Sequence, residues 1–385
     1  MKSKAFPVFL MFLVMGFGDA IGPFVGLAKE TFRLSQLEAS LITFMGFIMF
    51  ALLSIPMGIL QDKKGKKIVA IIGLITGFLG VLIPVFGLST YAVFLITVLL
   101  LGAANAILQV AGNPLMRDVS DTGMYSRNLS LGQFVKAIGS LSGPILPIVF
   151  SRYFGLPWTT IFPVYSGFFL ITIAILAFSK IDKSQEEKTT RASFGSMMRL
   201  LLSNPFVASM VIAIFLYVGA EVCMSSGLPI FFNTQYQLDI AKLGLAGTGL
   251  FFLALMIGRF AGGIILSWIS PKTFFILTNI LSILGIIGLF IPDQTIGFAS
   301  AFIIGLGFAN IFPLVFSITV DAMPERTNEL SGLMITAIVG GALVPVIFAK
   351  VSDIFSILMG FIVPLSCIAY LFILSLSLVK KNKGL

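Results

Sequence analysis

The side chains that could do chemistry in this chain are few, and all sit inside long apolar stretches. They are two carboxylates, Asp19 and Glu221, one amine, Lys136, and five carboxamides, Asn105, Gln109, Asn113, Gln133 and Asn310. An ionised group deep in hydrocarbon costs about 2.5 to 3.5 kcal/mol on insertion scales, so such groups face a polar cavity and find partners. Asp19 lies about 13 residues into the first apolar stretch, Glu221 about 15 into the seventh and Lys136 about 10 into the fifth; at about 1.5 Å per residue each is near the bilayer midplane. Two acids and one base do not pair one to one. The expected pair is Asp19 with Lys136, worth about 4 kcal/mol at about 4 Å and an effective dielectric of about 20 before desolvation is subtracted. Glu221 is then left without a charged partner in its own half of the chain. The chain has no histidine, so only a carboxylate could carry a proton within the bilayer. Protonating Asp19, or placing a sodium ion beside it, would release Lys136, which makes Asp19, Lys136 and Glu221 candidate cation-coupling residues. The competing readings are a fixed structural salt bridge for Asp19 and hydrogen bonding to neighbouring helix ends for Glu221.

The carboxamides bear on the cargo. Asn105, Gln109 and Asn113 are spaced four apart and share one helix face. Gln133 precedes Lys136 by three and shares its face, and Asn310 repeats Asn105 in the second half of the chain. Amides donate and accept together, which suits a polyhydroxylated neutral ligand better than a cation or a lipophilic compound. The expected ligand contacts are therefore Asn105, Gln109, Asn113, Gln133, Lys136, Glu221 and Asn310; amide bonding between helices is the alternative. No metal site and no cofactor are expected.

The elements that must hold these groups follow from composition. With 58% apolar and 11% charged residues, the 385-residue chain cannot make a water-soluble surface. Twelve stretches are long enough to cross about 30 Å of hydrocarbon as helices: roughly 6 to 29, 36 to 61, 68 to 88, 91 to 116, 126 to 151, 160 to 180, 206 to 232, 240 to 268, 272 to 292, 295 to 321, 328 to 350 and 354 to 379. Runs such as Ile71 to Phe86 are apolar throughout and do not alternate, which excludes a β-barrel. The first stretch is read as an uncleaved span, since it is long and lacks a small-residue cleavage site. Cys223 and Cys367 lie in different spans and imply no disulfide framework.

The spans form two copies of one design. Gly18-Asp19 and Gly26-Leu27 recur about 200 residues on as Gly219-Ala220-Glu221 and Gly227-Leu228, Gly58 recurs as Gly258, and Ala137-Ile138 with Pro144 recurs as Ala337-Ile338 with Pro345. The polar stretch Lys180 to Arg191 separates the copies. This gives an all-α membrane protein of two six-helix halves, 1–181 and 204–385, joined by a linker over 182–203. Lys2, Lys4, Lys63, Lys64, Lys66, Lys67, Arg117, Arg127, the stretch Lys180 to Arg199, Lys272, Arg326, Lys380, Lys381 and Lys383 fall on one side of the membrane. Only Lys29, Arg33, Arg152, Lys242 and Lys350 fall on the other, so both termini are expected in the cytoplasm. This asymmetry accounts for the net charge of +9 without a nucleic-acid surface. Pro23, Pro56, Pro114, Pro144, Pro229, Pro313 and Pro345 bend their spans, and the pairs Gly139 with Gly143 and Gly258 with Gly262 let helix backbones approach.

The loop after the second span reads Gly58-Ile-Leu-Gln-Asp62-Lys-Lys-Gly65-Lys66-Lys67 and resembles the signature loop of the major facilitator superfamily. Asp62 can cap a helix end and pair with basic groups across the cytoplasmic seam, so Asp62 is expected to gate, as is Arg259. Tyr217 to Val222, Asn113-Pro114, Gly258-Arg259-Phe260, Ser270-Pro271-Lys272, Asn310 to Pro313, Ser331-Gly332 and Ala337 to Gly341 with Pro345 resemble the fucose, glucose and galactose proton symporter family. The resemblance implies a bacterial inner-membrane carrier, monomeric and not an enzyme, that imports a hexose or deoxyhexose with a proton, or with sodium as in some relatives. It implies that Asp19 takes part in coupling. The chain departs from the fucose carrier in having Gln109 where that family member has a glutamate and Lys136 where it has a small amide. An exporter of lipophilic compounds and a non-transporting sugar sensor are the rival readings. No phosphate-cradling nucleotide loop is present, which argues against a primary pump.

Overall fold

The computed structural model describes residues 5–19, 21–87, 90–181, 192–237 and 248–380. The expected linker residues 182–191, both chain ends and the start of the eighth span lie outside that set. Among the described residues all regular structure is helical: α1 Phe6–Asp19, α2 Ile21–Phe32, α3 Gln36–Lys64, α4 Lys66–Leu82, α5 Tyr91–Asp118, α6 Tyr125–Phe154, α7 Ile161–Phe178, α8 Phe194–Ser203, α9 Pro205–Tyr236, α10 Thr248–Ile265, α11 Pro271–Gly288, α12 Gln294–Phe308, α13 Ile311–Ala322, α14 Thr327–Thr336, α15 Gly340–Ile354, α16 Ile357–Gly360 and α17 Ile362–Lys380. Ten helical stretches are long and apolar enough to cross a membrane, and Phe6–Asp19 and Gly249–Ile265 are shorter apolar helices at the first and eighth expected spans. The twelve-span, all-helical expectation stands. The linker adds one element that the sequence did not announce, the short helix α8, which buries Met197 and Leu200.

Local chemistry sets where spans start and bend. Side-chain oxygens of Ser35, Thr90, Asn204, Ser270 and Asp293 cap the first turns of α3, α5, α9, α11 and α12. Gly65 joins α3 to α4 at φ 92°, a left-handed backbone that favours glycine. Two expected spans are interrupted. Phe308 ends α12, where Pro313 leaves the Ala309 carbonyl without its usual donor. The eleventh span passes through a 3-10 turn at Ala337–Val339 before Gly340. Pro114 leaves α5 intact, and the Val110 carbonyl it would have served accepts a hydrogen bond from Ser331 Oγ at 2.6 Å.

The chain groups into two compact units, the first comprising Met1–Asp121, Val135–Leu200 and Met323–Thr336, the second Thr122–Phe134, Leu201–Ala322 and Ala337–Leu385. Each contains the same helix crossing. In the first unit a Cβ on Gly139 would run into the Leu13 carbonyl oxygen, and one on Gly16 into the Lys136 carbonyl oxygen. In the second, a Cβ on Gly340 would run into the Phe215 carbonyl oxygen, and one on Gly219 would meet Val344 and the Gly340 carbonyl. Backbone on backbone at these points is what the duplicated glycines provide. Gly139→Ala is expected to lower the melting temperature of the detergent-solubilised protein, overpacking typically costing about 1 to 3 kcal/mol. Gly167→Ala, with open space around it, is expected to leave the melting temperature unchanged or raise it through helix propensity.

Candidate functional site

In the first unit the Gly16 and Gly139 crossing brings the end of α1 against α6. Asp19, the last residue of α1, meets Lys136 Nζ at 3.0 Å through Oδ2. The same oxygen accepts from Ser140 Oγ at 3.2 Å, one helical turn beyond Lys136. Oδ1 accepts from Asn105 Nδ2 at 2.9 Å, and Asn105 Oδ1 in turn accepts from Gln109 Nε2 at 3.1 Å. The carboxylate thus heads a hydrogen-bonded chain that runs down one face of α5. The Asp19 side chain is 37% exposed while that of Lys136 is 10% exposed, so the acid is reachable from solvent and the base is held behind it. Asn113, on the next turn of the same face, is fully buried. Beside the acid, Phe17 stacks on Tyr165 with ring centroids 3.8 Å apart, and the Tyr165 hydroxyl lies 2.7 Å from Ser142 Oγ. That stack fixes the residues leading into Asp19 and leaves no aromatic face open there, because Phe17 and Tyr165 are both buried.

In the second unit the structure corrects the sequence reading of Glu221. The acid has a charged partner in its own half, Arg259, whose Nη2 lies 3.4 Å from Glu221 Oε1. Arg259 was expected at a gate; the structure pairs it with Glu221 near the middle of α9. The signal was present in the sequence, since Arg259 is the one charged residue of Thr248–Ile265. Around this pair, the Tyr217 hydroxyl donates to the Phe308 carbonyl at the α12 break at 3.0 Å, and Asn310 Nδ2 donates to the Gly258 carbonyl at 2.6 Å. Gln133 is grouped with this unit and lies on α6 one turn before Lys136. Its neighbour Phe134 packs on Phe260 at 5.2 Å, and the Leu131 side chain fills the space at Gly263.

Asp62 sits at the end of α3 in the first unit. Among the described residues its hydrogen-bond donors are Asn328 Nδ2 at 3.1 Å and the Ala192 backbone N–H at 2.9 Å, not the basic groups expected. Gln61 Nε2 donates to Asn328 Oδ1 at 2.8 Å. Glu329 accepts from Ser196 Oγ of α8 and from Arg326 Nε at 2.7 Å. Met197 fills the place where Gly58 and Gly332 approach. Neither Asn328 nor the α8 contacts carried a signal in the sequence, since they rest on long-range packing alone. A surface cleft of about 600 Å³ lies along apolar residues of α3 and Phe194 of α8, with Lys63 at its end, and touches none of the acids or carboxamides. Among the described residues no group of His, Cys, Asp or Glu has the geometry to hold a metal ion.

The arrangement resembles known carriers. The chain is 28% identical over 386 residues to a glucose/galactose transporter of Brucella abortus strain 2308, covering 94% of this chain and 90% of that one. It is 23% identical over 384 residues to the L-fucose-proton symporter of Escherichia coli strain K12, covering 90% and 86%. The solved structure of the transporter FucP in the outward conformation superposes with a TM-score of 0.85 at 20% identity, covering 97% of this chain and 98% of that one. The family model of the Major Facilitator Superfamily matches residues 8–345. With that match across both repeats, the chain belongs to the Major Facilitator Superfamily.

Proposed function

We propose that this protein is a secondary carrier that imports a monosaccharide, a hexose or deoxyhexose, together with a proton by alternating access. The observation that carries the reading is the hydrogen-bonded chain from Lys136 through Asp19 and Asn105 to Gln109. It links a solvent-reachable acid to the amides best suited to sugar hydroxyls. While ionised, Asp19 holds Nζ of Lys136, Oγ of Ser140 and Nδ2 of Asn105. Protonation discharges the carboxylate, weakens its charge-assisted bonds and leaves the Asn105 and Gln109 amides free to turn to a ligand. Proton state and cargo recognition are then two readouts of one network. The names of the relatives support sugar as the cargo and the proton as the coupled ion. The amide chain favours this reading over an exporter of lipophilic compounds, which would have little use for it.

The halves 1–181 and 204–385, with linker 182–203, are the bodies that move in this reading, and the basic side of the membrane is the cytoplasmic one. Asp62 is a gating residue, held by Asn328 and by the backbone ahead of α8. Asn328→Ala removes its bonds to Gln61 and Asp62, each worth about 0.5 to 1.5 kcal/mol net. It is expected to increase labelling, from the cytoplasmic side, of a single cysteine placed at Val110. Unchanged labelling would remove Asp62 and Asn328 from the gate.

Proteoliposomes are expected to accumulate labelled hexose under an inward proton gradient and not under a sodium gradient alone; no uptake in either case would sink the carrier reading. Asp19→Asn is expected to abolish gradient-driven accumulation while sugar counterflow persists, and full accumulation in that variant would show that Asp19 is not the coupling acid. Lys136→Ala takes away the ammonium that competes with the proton. The pH profile of transport is expected to change, because Oδ2 of Asp19 loses its charged partner. An unshifted profile would make the pair a fixed strut.

A further inference from the structure

The lysines around the α3 to α4 turn are not used alike. Lys66 Nζ lies 2.7 Å from both carboxylate oxygens of Asp118 at the end of α5. Lys67 Nζ donates to the carbonyls of Ala177 and Ser179 at the end of α7, at 2.9 and 2.7 Å. These two tie helix ends together within the first unit. Lys63 and Lys64 are exposed, and among the described residues neither meets an acid or an acceptor. Lys63 differs from Lys64 in what stands beside it, for it closes one end of the cleft of about 600 Å³.

That cleft runs along α3 from Ala51 to Lys63, with Phe194 of α8 as its further wall. Leu52, Ile55 and Ile59 make its surface apolar, and Leu52 and Phe194 are 56% and 62% exposed. The other face of α3 is taken up by protein: Ser54 and Gln61 are buried, and Gly58 packs against Gly332 of α14. At about 1.5 Å per residue the cleft is about 18 Å long, close to one leaflet's share of about 30 Å of hydrocarbon.

Shape and charge together select the occupant. An apolar groove as deep as one leaflet fits an acyl chain, and an unpaired ammonium at the basic-side end of it attracts an anionic headgroup. A peptide would carry backbone donors and acceptors into a groove that has nothing to satisfy them. Residues 182–191 contain no apolar side chain to fill it. A zwitterionic lipid would bring its own amine to the charge of Lys63. Asp62, the acid that could attract that amine, is held by Asn328 and the Ala192 N–H and does not line the cleft. We propose that this groove binds one anionic phospholipid from the leaflet on the basic side of the membrane, its acyl chain along Leu52 to Ile59 and its phosphate at Lys63 Nζ. The site is apart from Asp19 and the carboxamides and does not depend on what the carrier moves.

The test places the full-length protein in phosphatidylcholine vesicles containing a trace of phospholipid with a photoreactive diazirine on its acyl chain, the headgroup being either phosphatidylglycerol or phosphatidylcholine. Labelled residues are mapped by mass spectrometry of peptides after illumination. The phosphatidylglycerol probe is expected to label residues 51–63 and Phe194 about fivefold more than the phosphatidylcholine probe, the scale of one lysine near an anionic headgroup. Unlabelled phosphatidylglycerol is expected to compete and glycerol 3-phosphate is not; competition by the latter would make this a free-phosphate site and overturn the proposal. Lys63→Gln is expected to abolish the preference for the anionic probe, while Lys63→Arg and Lys64→Gln retain it. Ala51→Trp, which fills the groove, is expected to lower labelling by both probes. Equal labelling by the two probes in wild type would reduce the groove to ordinary boundary lipid, and no labelling there would mean that protein fills it. A preference that survives Lys63→Gln in protein of unchanged melting temperature, or that Lys64→Gln removes equally, overturns the assignment of the headgroup to Lys63.

Discussion

Every ionised group near the middle of these helices must find its opposite within hydrogen-bonding range, because the bilayer offers neither water nor counter-ions to screen it. The structure meets this requirement separately in each repeat. Asp19 is held by Lys136 in one unit and Glu221 by Arg259 in the other, so each half carries an acid and a base and no net charge from these pairs. Neutrality of that kind suits an uncharged cargo. It also makes any bound proton an electrostatic event, since protonating either acid leaves one positive charge exposed in a poorly screened interior. That is the condition under which one proton can change what the interior binds.

The two pairs are made differently on a common frame. Gly139 against the Leu13 carbonyl and Gly340 against the Phe215 carbonyl are the same crossing copied about 200 residues apart. The acids keep their places near those crossings. The bases do not. In the first repeat the base sits on the crossing helix itself, three residues before Gly139, which gives a contact of 3.0 Å backed by Ser140 and Asn105. In the second it comes from α10 and reaches its acid at 3.4 Å.

A helix interruption lies beside one of these groups. The break after Phe308 stands next to the carboxamide Asn310, and Tyr217 donates to the Phe308 carbonyl there. At the far end of α3, amides again do the bonding: Asp62 is reached by Asn328 and a backbone N–H. Neutral donors can be exchanged for water at small net cost.

The sequence by itself determined the membrane class, the twelve spans, the duplication, the acids and the carboxamide face on α5, because these rest on composition and on the helical period, which are properties of local sequence. It offered Lys136 as a counter-charge for Asp19, since both fall at the same depth, and the structure put them in contact. What it left open was partner choice across long separations. Arg259 was visible as a lone charge in an apolar run, yet only the packing of α10 on α9 made it Glu221's partner. Gln133 and Lys136 are three apart on one helix, and only the tertiary structure put Asp19 beside Lys136 and Phe260 beside Phe134. Periodicity says which residues share a face of one helix; which helix meets that face is set by close packing of glycines and side chains far apart in the chain.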